Sequence, residues 1–150
     1  PRDLAWAADR VEEGLGERPD RRGSFDFLAY ASVSVAAERE AAREAARPPV
    51  AFIAAGAPEP VLVRHDIDAE RAAAVGEKIS EGAFSAAFER VTPEMIDAFA
   101  AAGTVDDVAE RLAGVQDHAD GVVCGSPLGP DLDAAVELAS EALERAEERD

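Results

Sequence analysis

A short segment rich in glycine and proline has the residue types and spacing best suited to binding. Residues 125–130 read Gly-Ser-Pro-Leu-Gly-Pro, after an apolar run and before a long amphipathic run. A turn between a strand and a helix leaves backbone N–H groups free to bind a phosphate or another anion. The segment therefore predicts an anion site that begins at Gly125 and Ser126. The alternative is a turn that only joins the last strand to its helix.

The titratable and nucleophilic side chains form no known catalytic or metal-binding pattern. His65 precedes Asp66 and could act as a general acid or base, although a loop residue is the simpler interpretation. His118 has acidic neighbours and is expected to be exposed, while Cys124 is expected to pack as a small apolar side chain. A nucleophile triad, a zinc site or a P-loop would each leave a spacing signature that the sequence lacks. No metal is therefore expected, and the catalytic residues stay unassigned.

The charge of the chain limits its partners. The sequence has 32 Asp and Glu residues against 15 Lys and Arg residues, of which only Lys78 is a lysine, and its net charge is −17. Binding to a nucleic-acid backbone depends on clusters of Lys and Arg, so a nucleic-acid partner is not expected. Many carboxylates with almost no lysine are typical of proteins adapted to molar salt, which screens their self-repulsion. An ordinary acidic protein is the alternative.

Length and hydrophobic content indicate a single folded domain. A chain of 150 residues, 47% of them hydrophobic, can bury a core, which argues against disorder. Its one cysteine excludes an internal disulfide, and no apolar run approaches the length of about 18 residues that a membrane span needs. The first residues are charged and do not resemble a signal peptide. We therefore expect a reducing, cytoplasmic location and no membrane partner.

Three runs of the sequence are predicted to form strands. Residues 24–35 alternate between two faces that are both largely apolar or small, which is typical of a strand covered by helices. The other two predicted strands are shorter, at residues 100–103 and 119–124. The last of them precedes a tight turn and an amphipathic helix, which together form a parallel βα unit. A parallel sheet is therefore expected.

Helical periodicity predicts two helices before residue 56, one on each side of the first predicted strand. A first helix is predicted from about Asp3 to the turn Gly14-Leu15-Gly16. An alanine-rich helix follows at residues 36–47, and Pro48-Pro49 is expected to bend or end it. Residues 50–55 could form a strand or a further helical turn, because periodicity does not separate the two in a short apolar run.

Capping residues mark the helix starts in the rest of the chain. Asp68 is predicted to cap a helix that reaches about Gly82, and Thr92 to cap another. Thr104 is predicted to cap a third, with Asp107 at the capping-box position. Two further helices are predicted from their apolar residues, which are Phe84 and Phe88 in the first and Leu132, Ala135, Val136, Ala139, Ala142, Leu143 and Ala146 in the last.

Three strands are few for so many helices. A three-stranded parallel sheet leaves strand edges uncovered, and folded proteins protect such edges. The sequence also begins at Pro1, without an initiator methionine. We therefore predict that residues 1–150 are the C-terminal part of one larger α/β domain.

Several stretches of the sequence resemble a known enzyme family. The stretch Gly103-Thr-Val-Asp-Asp-Val-Ala-Glu-Arg-Leu112 and the segment 125–130 are similar to the C-terminal end of the luciferase-like TIM-barrel enzymes. Among these enzymes the chain is most similar to the methylenetetrahydromethanopterin reductases, which use the deazaflavin coenzyme F420. Arg64-His-Asp-Ile-Asp68 makes this resemblance more discriminating, and residues 30–35 and 50–56 extend it over most of the chain.

The resemblance implies both a fold and a site. The three predicted strands would be the last three of an eight-stranded (β/α)8 barrel, with the helices between residues 50 and 99 as an extension between strands six and seven. The active sites of such barrels lie at the carboxyl ends of the strands. Four residues are therefore predicted to line the mouth of the barrel and to bind the cofactor, namely Gly103, Thr104, Gly125 and Ser126.

The resemblance also implies a reaction, the transfer of a hydride between reduced coenzyme F420 and a methylene-tetrahydropterin to give the methyl form. The pterin would be methanopterin or, in a salt-adapted organism, a folate. An FMN- or F420-dependent luciferase-like monooxygenase is the alternative enzyme, and a non-catalytic acidic helical binding domain is the alternative outside enzymes. The whole enzyme is expected to be a homo-oligomer, and this chain alone is expected to be inactive.

Overall fold

The computed structural model describes residues 2–148, apart from the side chain of Asp20. Helices and strands alternate as in an α/β protein, which confirms the predicted class. Its elements are α1 (Arg2–Gly16), a 3-10 turn (Asp20–Arg22), β1 (Leu28–Val35), α2 (Arg39–Gly56), α3 (Glu59–Arg64), α4 (Ala69–Ser80), α5 (Phe84–Glu89), α6 (Pro93–Phe99), β2 (Ala101–Gly103), α7 (Val105–Gln116), β3 (Gly121–Leu128) and α8 (Leu132–Glu147).

The three strands form one parallel sheet with β1 at its centre. The order across the sheet is β2-β1-β3. Val35 pairs with Gly103 of β2, and Ser32 pairs with Gly125 of β3. The predicted parallel sheet is therefore confirmed.

Helices lie on both faces of this sheet. Alternate residues of a strand point to opposite faces. Val33 and Val35 pack in one core with α7 and α8, whereas the hydroxyl of Ser34 donates to the carbonyl of Ala42 in α2 at 2.6 Å. Helix α2 therefore lies on the face opposite to α7 and α8.

The order of the strands differs from the order of neighbours in a closed barrel. In a (β/α)8 barrel each strand lies beside the next strand of the chain, so β2 would separate β1 from β3. Here β3 pairs with the other edge of β1. Strand β2 pairs with β1 over three residues, Val33 to Val35, whereas β3 pairs with it from Leu28 to Ser34.

Helix α2 continues through both of its prolines. The helix does not end at Pro48-Pro49, so that part of the prediction is wrong. Residues 50–55, which could have formed a strand, are helical. Each proline removes a helical hydrogen bond. Burial on one face of the helix offsets that cost, because Ala46, Val50 and Ala51 are fully buried.

The cap predictions for the helical extension are confirmed. Helices α2 to α6 pack around one core, called here the helical cluster. Its buried residues are Ala46, Val50, Ala51, Ala54, Leu62, Ile67, Ala72, Val75, Ala87, Val91, Met95, Ile96 and Ala100. The Asp68 carboxylate accepts from the Glu70 N–H at 2.8 Å, and the Thr92 hydroxyl accepts from the Met95 N–H at 3.3 Å.

A second core joins the sheet to α7 and α8, and it is called here the sheet layer. Its buried residues are Val33, Val35, Ala101, Val108, Ala109, Leu112, Ala135, Ala139, Ala142 and Ala146. The predicted apolar face of the last helix is wrong at two positions, because Leu132 and Val136 are more than half exposed. The buried alanines of α8 pack on this core, and Leu138 and Leu143 lie partly buried beside them.

Both long strands differ in extent from the prediction. Residues 24–27 are not part of β1, because β3 begins at Gly121, opposite Leu28, and leaves them without a strand to pair with. Strand β3 in turn extends beyond residue 124 to Leu128. It does so because β1 continues to Val35, and a register irregularity between Ser32 and Ser34 accommodates the extra residues.

Candidate functional site

The carboxyl ends of the strands form the edge at which the predicted site residues were expected. Val35 pairs with Gly103, and Ser34 pairs with Leu128, so all three strands end at the same edge of the sheet. In α/β proteins this edge is where ligands bind. Gly103 and Thr104 lie directly on it.

Gly103 and Thr104 are held by the first turn of α7. The Asp107 carboxylate accepts hydrogen bonds from the Thr104 N–H and from its hydroxyl, both at 2.9 Å. Burial acts to raise the pKa of Asp107, but these hydrogen bonds and the charge of Arg39 outweigh it, so the pKa is lowered. A side chain at position 103 would collide with this carboxylate, at 2.5 Å from the Cβ it would add. Glycine is needed at position 103 because the Asp107 carboxylate that caps α7 packs directly against it.

Gly125 lies inside β3, three residues before the end of the strand. It is buried, and the ring of Tyr30 covers it so closely that an added Cβ would lie 2.0 Å from ring atoms. The next residue, Ser126, is exposed, and its carbonyl accepts a hydrogen bond from the Ser32 hydroxyl at 3.0 Å. A side chain of this chain, Tyr30, thus occupies the space beside Gly125.

The structure does not bring the four predicted residues into one cluster. Gly103 pairs with Val35 on one side of β1, and Gly125 pairs with Ser32 on the other. Strand spacing and rise separate them by about 10 Å across the sheet and about 10 Å along it. The two pairs, Gly103-Thr104 and Gly125-Ser126, are separate parts of the edge in this arrangement.

The anion site predicted at residues 125–130 is not formed as expected. Most of the segment belongs to β3, and α8 begins only at Leu132. The Asp131 carboxylate already accepts the Ala134 N–H at 3.2 Å, and Asp133 adds a second negative charge to the first turn. Gly129 serves packing, since an added Cβ would lie 2.4 Å from the carbonyl oxygen of Val35.

His65 lies in the turn after α3, as its interpretation as a loop residue predicted, and its side chain is buried against α1. Its side chain is 7% exposed, and Nε2 lies 2.6 Å from a carboxylate oxygen of Asp3. Arg64 also binds Asp3. Burial acts to raise the pKa of Asp3, and the contacts with His65 and Arg64 outweigh it and lower the pKa. No short-range signal marks this pair, because Asp3 and His65 are 62 residues apart.

The remaining candidate side chains have structural surroundings. His118 is half-buried, which corrects the prediction that it is exposed. Cys124 is half-buried in the sheet layer, where burial raises the pKa of its thiol. Within residues 2–148 no group of three or more His, Cys, Asp and Glu side chains is placed to hold a metal ion. No helix in the described part of the chain has the length and apolar content to cross a membrane.

Comparison with known families identifies the relationship. The profile of the luciferase-like monooxygenases matches residues 1–122, more than half of the chain. The chain belongs to this family. The resemblance drawn from the sequence motifs at the family level is thereby confirmed.

Three curated relatives that match over nearly the whole chain share one name. Proteins named 5,10-methylenetetrahydromethanopterin reductase are 42% identical in Archaeoglobus fulgidus, over 147 residues and 92% of this chain, and 38% identical in Methanopyrus kandleri, over 148 residues and 95% of it. The protein of that name from Methanolobus tindarius is 36% identical over 140 residues. This chain spans 43%, 41% and 43% of their respective lengths.

A solved structure shares the fold. It is the coenzyme F420-dependent tetrahydromethanopterin reductase from Methanopyrus kandleri, with a TM-score of 0.85 and 38% identity. The match covers 93% of this chain and 40% of that one. The chain therefore has the fold of part of a luciferase-like barrel, as the sequence motifs implied.

Proposed function

We propose that this chain is the C-terminal part of a coenzyme F420-dependent methylenetetrahydropterin reductase. The observation that carries the proposal is the identity of 36–42% over at least 92% of the chain with proteins that bear the reductase name. The chain spans about two fifths of their length, so the activity is proposed for the complete protein. Its reaction would transfer a hydride between reduced F420 and the methylene carbon of methylenetetrahydromethanopterin or methylenetetrahydrofolate, which becomes a methyl group.

The residues present do not form a cradle for a deazaflavin by themselves. The space beside Gly103 is filled by Asp107, and the space beside Gly125 by Tyr30. Thr104 and the exposed Ser126 remain the two predicted residues that could contact the coenzyme at the mouth of a complete barrel. The hydride chemistry belongs to the coenzyme, and most of its contacts would come from the rest of the protein.

A luciferase-like monooxygenase that uses FMN or F420 is the second candidate. It is favoured by the family profile, which matches residues 1–122 and carries the monooxygenase name. It differs from the first candidate in its need for molecular oxygen as a substrate, and this difference makes the two separable.

The test is an assay of the complete protein that contains this chain. With reduced F420 and methylenetetrahydromethanopterin under anaerobic conditions, we expect coenzyme oxidation that depends on the pterin. Methylenetetrahydrofolate, assayed in parallel, identifies the pterin. Coenzyme oxidation that requires oxygen and ignores both pterins would contradict the reductase and support the monooxygenase.

Adaptation to molar salt is part of the proposal, together with a cytoplasmic location, a homo-oligomeric enzyme and the absence of a nucleic-acid partner. The net charge of −17 with a single lysine supports the salt adaptation and the absence of a nucleic-acid partner. Salt would screen repulsion between the carboxylates and stabilise the fold. We expect the melting midpoint of the protein to rise from low to molar KCl, and equal midpoints would contradict the adaptation.

A further inference from the structure

The helical cluster carries an exposed apolar surface where α2 and α5 meet. Phe52 of α2 and Phe84 of α5 are 51% and 48% exposed, and their ring centroids are 6.1 Å apart. Phe88 also lies against Phe52, with 6.3 Å between the centroids. Pro48 precedes Phe52 by one helical turn on the same side of α2. These four residues are called here the aromatic face.

Helix α2 is apolar beyond the side that the helical cluster buries. Residues 48–58 include no charged side chain, although 31% of the residues in the chain are charged. Val50 and Ala54 pack inside the helical cluster, whereas Phe52 and Ile53 between them are exposed. A helix that is apolar all round is typically buried all round. A partner is therefore expected over the exposed side of α2.

The aromatic face is remote from the places where further strands would join the sheet. Those strands would continue the sheet from its free edges, at β2 and β3. Helix α5 packs against α2 and α4, and within residues 2–148 it has no extensive contact with a strand. Ser34 of β1 meets α2 at Ala42, and Phe52 lies about 15 Å further along that helix. The aromatic face is therefore outside the surface that the rest of the sheet would cover.

The charge around the aromatic face is balanced, unlike the charge of the whole chain. Segments 44–58 and 78–90, which carry the face, contain three acidic and three basic side chains, namely Glu44, Glu81, Glu89, Arg47, Lys78 and Arg90. The net charge of −17 therefore lies on the other residues. Two copies of so acidic a chain repel each other over most of their surface. At the aromatic face they can approach without repulsion between like charges.

We propose that the aromatic face is a contact surface between two copies of the complete protein. A two-fold axis brings the same patch of both copies together, so an uncharged apolar face is its own complement. Both signs of charge lie beside the face, where Glu44 pairs with Arg47 and Glu81 pairs with Lys78. An aromatic centre with a polar rim is typical of protein interfaces. The inference rests on the homo-oligomeric state proposed above and is independent of the reaction.

The test is the mass of the complete protein, measured by analytical ultracentrifugation at micromolar concentration in molar KCl. The parent protein is expected to be a dimer or a larger oligomer. Phe52→Glu puts like charges opposite each other in the contact and should weaken association at least about a hundredfold. Phe84→Glu, which tests the face from α5, should have the same effect. Val63→Glu is the matched control at an apolar position of α3 that is 67% exposed, and its association should equal that of the parent.

Three results would overturn the proposal, and they differ in what else they contradict. A monomeric parent protein would contradict the homo-oligomeric state itself. An oligomeric parent whose association is unchanged in both Phe52→Glu and Phe84→Glu would contradict this surface alone. Thermal melts at a dilution where the parent is also monomeric give the third result. If both variants then melt well below Val63→Glu, another part of the same polypeptide covers the aromatic face.

Discussion

The helical cluster and the sheet layer both bury a continuous apolar core, but they differ in how their backbone is satisfied. Helices α2 to α6 close their hydrogen bonds locally, and side chains such as Asp68 and Thr92 cap their ends. The sheet layer has a strand of only three residues at one side and an unpaired edge at the other. The helical cluster therefore needs no neighbour for its backbone hydrogen bonds, whereas the sheet layer has edges that further strands could cover.

The sheet also exposes apolar residues on one of its faces. Leu28, Tyr30 and Val123 are 57%, 69% and 48% exposed, and they lie on the face of the sheet that α2 covers only in part. In a complete barrel this face would point to the packed interior. The relatives, more than twice as long as this chain, have the additional length that such a barrel needs.

The largest effect is expected in the helical cluster. Met95 is fully buried there, so Met95→Ala should lower the free energy of unfolding by about 2–5 kcal/mol through lost burial and a cavity. Val136→Ala is the control in the sheet layer, where the residue is 53% exposed, and its effect should stay within about 0.5 kcal/mol. Denaturant unfolding measures both. Equal losses would show that the two regions do not differ in the way described.

A second substitution tests the close packing where β3 meets α8. Gly129→Ala places a methyl group against the backbone of Val35 and against Ala135, neither of which can turn aside. It should cost about 1–3 kcal/mol of stability. At Gly56 an added Cβ meets nothing within 4 Å, so the thermal melt of Gly56→Ala should match that of the parent chain. If the melt of Gly129→Ala also matches that of the parent, this packing of β3 and α8 is contradicted.

A smaller, pH-dependent effect is expected at the cap of α7. Because the pKa of Asp107 is lowered in the folded chain, its contribution to stability is present above the unfolded pKa of about 3.9 and is lost as the pH falls through the folded value. Asp107→Asn should lower the free energy of unfolding by about 1 kcal/mol at pH 7. At a pH below the folded pKa of Asp107 the same substitution should have little effect. Glu110→Gln, at an exposed position on the same helix, should cost almost nothing at either pH. A loss for Asp107→Asn that is the same at both pH values would contradict the role of the charge.

Local signals predicted the helical cluster well and the sheet only in part. Asp68 and Thr92 cap their helices as predicted, because a cap depends on residues two or three positions away. The continuation of α2 through Pro48 and Pro49 was missed, because it depends on burial against other helices. The strand order was missed as well, since pairing between β1 and β3 joins residues more than 90 positions apart.

The candidate site shows the same limit. The position of Gly103 and Thr104 at the edge of the sheet follows from the strand before them and the cap after them, and it was predicted. The ring of Tyr30 over Gly125 and the pairing of Asp3 with His65 are contacts between distant segments. No pattern in the sequence marks them.

The measurement that tests this account most directly is a titration of coenzyme F420 with the purified chain and, in parallel, with the complete protein. Coenzyme fluorescence reports binding. We expect saturable binding to the complete protein and none to residues 1–150 alone at micromolar concentrations. Asp107 and Tyr30 occupy the space beside two of the four predicted residues, and the rest of the barrel mouth is missing from residues 1–150. Micromolar binding to the isolated chain, together with a cooperative melt that the coenzyme shifts upward, would show that these residues form a self-sufficient coenzyme domain and would contradict the account.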